Sequence, residues 1–151
     1  MDPDLIRFKV KLLGFLLGLS QLILVNPSIA LTRINDDVGG SLGEYLLKFA
    51  EIRDSGDYVV IDGSCSSACT LVTAMIPKER VCITYRARLG FHAAWVDDHG
   101  GRRSISAEGT RLMYQMYPPG IQNWIMRHGG LGVRTIILKG RELATFYARC
   151  K

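Results

Sequence analysis

Ser67 and His92 are the residues whose types and spacing could carry out covalent chemistry. Ser67 stands in Gly63-Ser-Cys-Ser-Ser-Ala-Cys-Thr70, and His92 closes Arg88-Leu-Gly-Phe-His92, 25 residues further on. A serine hydroxyl is a weak nucleophile until a base takes its proton, and histidine is the side chain best suited to that task near neutral pH. Such a pair would attack a carbonyl carbon, which is acyl transfer or hydrolysis. The small residues Ala93 and Ala94 beside the histidine suit a site better than a packed core. Each residue also has a plain structural role open to it: Ser67 as a helix cap, His92 as a satisfied core histidine. His99 and His128 lie in turn-like contexts and read as solvated.

The flanking sequence says how the pair would be held. Residues 58–61, Tyr-Val-Val-Ile, form a β-branched and aromatic run between Ser55-Gly56-Asp57 and Asp62-Gly63, the pattern of a buried strand. Residues 66–75 are small and apolar and read as a helix stopped by Pro77. Ser67 is therefore expected where a strand turns into a helix, near unpaired backbone N–H groups that favour a developing oxyanion. Residues 80–85 and 89–92 read as further strands of the same sheet. His92 then falls at a strand end, where parallel sheets gather their sites.

The order strand, Gly-x-x-x-Ser-Ala, helix, strand, Gly-Phe-His resembles the superfamily of Clp-type serine peptidases and crotonases. The likeness is greatest to its exported bacterial branch, whose sequences carry Cys-x-Ser-Ala-Cys-Thr and Leu-Gly-Phe-His. It spans residues 34–142 and takes in Asn35-Asp-Asp-Val-Gly-Gly40, followed by a helical stretch over 41–53. The resemblance implies an α/β fold with a mainly parallel sheet flanked by helices, in a short version. It also implies an oxyanion hole formed by the backbone N–H groups of Gly40 and Ala68, Gly40 being the second glycine of the family's pair. Glycine has its own reason to stand at such a turn, because a residue without Cβ lets the backbone come close and accepts positive φ. Gly39-Gly40 would serve equally well in a plain tight turn.

The family's triad ends in an aspartate, and alignment puts Thr135 at that position. Threonine cannot stabilise an imidazolium by charge. Ser67 and His92 would then work as a dyad, or with a carboxylate from Asp97, Asp98 or Glu142. Losing the orienting aspartate costs a triad enzyme several orders of magnitude in rate. The rival expectation is a catalytically degenerate binding or interaction module that keeps the fold.

The 151 residues, formal net charge +5 and 48% hydrophobic content fit one small globular domain. Part of the hydrophobicity belongs to residues 12–25, preceded by Arg7, Lys9 and Lys11 and followed by small residues at Ser28 and Ala30. That is the build of a secretory signal peptide over 1–30, cleaved after Ala30, with the domain over 31–151. About 14 residues fall short of the ~20 that span a bilayer, so contact with a membrane is expected only through this segment if it is left uncleaved. The expected location is periplasmic. Removing residues 1–30 takes away three basic and two acidic residues and leaves a balance of +4, too mild to argue for nucleic acid.

Cys65, Cys69, Cys82 and Cys150 in an exported chain suggest disulfides, and four cysteines allow three pairings. A bridge between Cys65 and Cys69 would clamp the Ser67 turn, leaving Cys82 and Cys150 to tie the C-terminus to the sheet. The competing pattern joins Cys65 or Cys69 to Cys82. A metal site is the poorer reading, since no histidine lies near the cysteines and zinc takes four ligands. Nothing suggests a cofactor.

Beyond His92, residues 97–101 read as a turn, 106–117 as an amphipathic helix broken by Pro118-Pro119-Gly120, and 121–128 as a second helix ended by Gly129-Gly130. Met113, Met116, Tyr117 and Trp124 read as packed core or interface. Family members place oligomer contacts in this arm, and a shortened sheet would leave an edge strand that invites self-association into a homo-oligomer. The sequence thus points to an exported serine hydrolase acting on a peptide or another acyl substrate.

Overall fold

The computed structural model describes residues 29–97 and 100–151. The expected signal segment up to residue 28, and the candidates Asp98 and His99, lie outside them.

The chain is a mixed α/β structure built on a parallel sheet. β1 (Leu31–Ile34), β2 (Tyr58–Ile61), β4 (Val81–Ile83) and β9 (Ala148–Arg149) pair in the order β1-β2-β4-β9, all parallel. Val59, Val60 and Ile61 are all buried, which explains why this central strand reads as an unbroken apolar run rather than an alternating one. Each such side chain contributes about 1.5–3 kcal/mol by leaving water. At the end of β2, Asp62 accepts hydrogen bonds from Arg33 at 2.7 Å, Thr84 at 2.8 Å and Arg86 at 3.0 Å. The hydrogen bonds from Arg86 and Thr84, reinforced by Arg33, hold its carboxyl well below the usual range.

Residues 89–92 do not join that sheet. The chain turns at Asp62-Gly63, and β3 (Ser64–Ser66) opens a second ladder with β5 (Arg88–Phe91), Ser66 lying opposite Gly90. β8 (Ile136–Lys139) adds to β5 antiparallel, and β6 (Trp95–Asp97) with β7 (Arg103–Ile105) makes a separate hairpin around the expected turn. The expected helix over 66–75 is also divided. Ser66 belongs to β3, residues Ser67–Leu71 wind as a 3₁₀ helix, and only Val72–Met75 are α-helical.

α1 (Leu42–Ser55) joins β1 to β2 and stops at Gly56, whose φ of 83° is left-handed and whose N–H returns to the Arg53 carbonyl. α2 is Val72–Met75. α3 (Ala107–Met116) starts at Ser106, whose side chain accepts the Gly109 N–H at 3.0 Å. α4 (Pro119–Arg127) begins two residues before the expected start, because proline breaks a helix interior but suits its first position. α5 (Gly140–Leu143) follows β8. Tyr117 and Trp124 are buried against Phe91, with ring centroids 5.3 and 5.7 Å away, so the aromatic arm after the histidine is core.

The cysteines pair as Cys65–Cys69 and Cys82–Cys150. The second bridge fastens the end of the chain to β4. Both fit an oxidising, extracellular setting. Among the described residues no helix is long and apolar enough to cross a membrane, and no group of His, Cys, Asp and Glu is arranged to hold a metal.

Candidate active site

Ser67 takes up a backbone conformation that its sequence position alone does not announce. It is the first residue after β3, and its φ is +57°, one of two positive values among the described non-glycine residues. A left-handed serine is strained, and the strain persists because the surroundings fix it from both sides. Cys65 and Cys69, both fully buried, bridge across it. The Thr70 hydroxyl donates to the Ser67 carbonyl at 2.6 Å, and the buried Tyr117 hydroxyl lies 2.6 Å from that same Thr70 oxygen. Since the Thr70 proton is committed to Ser67, Tyr117 donates to Thr70, and burial pushes the Tyr117 hydroxyl up to about 12, so it remains a donor. A residue of α3's C-terminal flank is thereby tied to the serine turn.

The glycine turn closes the other side. Gly39 has φ of +83°, and a Cβ there would stand 2.5 Å from the Ser66 carbonyl oxygen, 2.7 Å from Ser67 Cβ and 3.0 Å from the Ala68 nitrogen. Only glycine fits. The turn is held by Asp37, a residue the sequence reading passed over. Its backbone bridges to β3, donating to Ser64 O at 2.7 Å and accepting from Ser66 N at 2.9 Å. Its carboxylate accepts from Gly39 N at 2.9 Å and from the Tyr45 hydroxyl, with Lys48 at 3.4 Å. Partial burial pushes this carboxyl up, but the hydrogen bonds from Tyr45 and Gly39 and the Lys48 charge outweigh it and hold the group below its ordinary value. Burial and the neighbouring carboxylate raise Tyr45 in turn. An aspartate two residues before a glycine is an Asx-turn pattern, the signal that could have marked Asp37 in advance.

Ser67, His92 and Gly40 line one cleft of about 540 Å³, walled by the glycine turn on one side and by Trp95, Asp97 and Arg103 of the hairpin on the other. Gly39 N–H is taken by Asp37, whereas Gly40 faces the cleft. Ala68 is buried, its nitrogen 3.0 Å from where a Gly39 Cβ would stand, and it is not among the residues that line the cleft. A larger cavity of about 820 Å³, lined by Arg33, Asp62, Arg86 and Arg149 and by the bridged Cys82 and Cys150 among others, includes none of Ser67, His92, Gly40 and Ala68.

Among the described residues no hydrogen bond joins Ser67 Oγ to His92, and no carboxylate hydrogen-bonds to His92. Asp97 lies in the cleft but pairs with Arg103 at 3.4 Å, and Glu142 faces His128 at 4.0 Å. Thr135 lies one step beyond the β5–β8 ladder, its methyl against Gly90 rather than its hydroxyl on the histidine. His92 Nδ1 instead lies 2.7 Å from the Ala93 carbonyl oxygen and 3.2 Å from the Trp95 indole nitrogen. Neither partner was foreseen, because a backbone carbonyl leaves no mark in a residue pattern. Neither a protein-family model nor a curated protein matches the chain.

Proposed function

We propose that the protein is an exported serine hydrolase with a ClpP/crotonase-type fold, acting on a peptide or another acyl substrate. The observation that carries this reading is the left-handed Ser67 at the exit of β3, facing the same cleft as His92 and Gly40. A serine on a strained strand-to-helix turn holds its hydroxyl clear of both elements, which is the arrangement that acyl-transfer enzymes use. In the proposed reaction His92 Nε2 takes the Ser67 proton as Oγ bonds to the carbonyl carbon. The carbonyl π pair moves to its oxygen, which Gly40 and Ala68 N–H groups receive. Collapse expels the leaving group with the proton from Nε2, and water repeats the sequence to release the acid and restore Ser67.

Export follows from the same reading: a signal peptide over 1–30 would deliver the chain to the periplasm, where the two disulfides persist. A second reading, a binding module of the same fold, draws on the lack of a Ser67–His92 hydrogen bond. Apo sites often tighten such contacts only around substrate. Reaction of the oxidised protein with a fluorophosphonate probe separates the two. The hydrolase labels, and both Ser67→Ala and His92→Ala abolish labelling while remaining folded; a folded native protein that does not label is the module.

A further inference from the structure

We propose that the Ala93 carbonyl orients His92 in place of a carboxylate, holding the imidazole with its proton on Nδ1 and its lone pair on Nε2, and that Thr110 is the positioning residue for that carbonyl. The inference rests on the reading of His92 as a base.

His92 Nδ1 has two polar neighbours with opposite demands. The Ala93 oxygen, at 2.7 Å, can only accept, and the Trp95 indole N–H, at 3.2 Å, can only donate. With a proton on Nδ1 the shorter contact is a good hydrogen bond, and the Trp95 indole N–H, which donates toward Nδ1 at the longer distance, faces a second donor and must turn aside. Without it, a nitrogen lone pair would face the carbonyl lone pairs at 2.7 Å. The shorter contact therefore sets the tautomer. Nε2 is left as the ring's acceptor, on a residue that lines the same cleft as Ser67, the state a general base needs. After proton transfer the imidazolium keeps its Nδ1–H bond to Ala93, though a neutral carbonyl supports that charge less than a carboxylate would.

The carbonyl is held from both ends. Ala93 N–H donates to Gly132 O at 2.8 Å, and Ala94 N–H donates to Thr110 Oγ1 at 3.0 Å. Thr110 in turn donates to Ser106 O at 2.7 Å on the first turn of α3. Because the Ala93 C=O and the Ala94 N–H share one rigid peptide plane, fixing the second aims the first. Thr110 thus acts on His92 without touching it.

The test is long-range ¹H–¹⁵N NMR of ¹⁵N-histidine-labelled protein, with His92 assigned from His92→Ala and read on the neutral imidazole. The expected native spectrum has a protonated, pyrrole-type Nδ1 and a bare Nε2. Thr110→Val should lose that single tautomer and slow fluorophosphonate labelling on the order of 10–100-fold, as expected for a misplaced catalytic group. Thr110→Ser, which keeps the oxygen, should restore both. A bare Nδ1 in the native protein overturns the inference, as does a Thr110→Val variant with an unchanged His92 signature. If Thr110→Val does not fold, the native spectrum and Thr110→Ser still decide. Since the tautomer is read without turnover, an unlabelled protein with protonated Nδ1 counts against the hydrolase alone, and a labelled protein with protonated Nε2 counts against this inference alone.

Discussion

Gly39 and Ser67 are in such close contact that a Cβ on the glycine would stand 2.7 Å from the serine Cβ. The glycine turn and the serine turn are therefore one structural unit, and the unit has no room for a methyl group. Gly39→Ala combines a left-handed φ with overpacking, and should lower stability by about 2–4 kcal/mol. It should also remove fluorophosphonate reactivity, because relief of the clash moves Ser67 or Ala68. Gly40→Ala meets only a Tyr45 ring carbon at an ordinary 3.5 Å and should leave stability within about 0.5 kcal/mol. Equal melting temperatures for the two variants would contradict this account.

The two disulfides should contribute unequally. Cys82–Cys150 closes a span of 68 residues and Cys65–Cys69 a span of four, so loop-closure entropy assigns about 4 and about 2 kcal/mol. Denaturant titration of the paired Cys→Ala variants should rank them in that order. The shorter bridge matters more for reactivity, since it spans Ser67, and its removal should slow probe labelling more than loss of the longer bridge does.

Asp37 and Asp62 both have carboxyls held below their ordinary values. A depressed carboxyl stabilises the fold above the unfolded-state value and loses that contribution as pH falls toward the folded one. The melting temperature should hold steady from pH 7 to about pH 5 and fall below about pH 4. Asp37→Ala leaves the Gly39 N–H and the Tyr45 hydroxyl without their acceptor, and should cost about 1–3 kcal/mol at pH 7. A melting temperature that rises on acidification would contradict the assignment.

Thr135, which the resemblance to Clp-type peptidases would put in the acid position, has its methyl toward Gly90, and among the described residues it makes no hydrogen bond to His92. Thr135→Val keeps that methyl and should leave labelling within about twofold of native. A loss as large as that expected for Thr110→Val would return Thr135 to the site.

Much of this arrangement is legible in the chain, for identifiable reasons. Tyr58–Ile61 is buried on both faces, so its apolar run gives the strand directly. The helices end where Gly56 and Pro118 require them to. The transfer of β5 to a second sheet is not legible, because Leu89 and Phe91 are as apolar as the residues of β4 and nothing local says which ladder they join. Ser67, His92 and Gly40 line one cleft, and Ala68 does not. What surrounds them is hidden for a different reason. The Ala93 carbonyl is a main-chain atom that any residue could supply, and Thr110 acts through the Ala94 N–H, 16 residues away, whereas Asp37 does carry a local signal in its place two residues before Gly39.

The most direct test of the central claim is intact-mass and peptide mapping of the oxidised protein after fluorophosphonate treatment. The account predicts a single adduct on Ser67, with none on the adjacent Ser66, whose hydroxyl lies against Gly90. No adduct on folded protein, or one distributed over several surface serines, would contradict it.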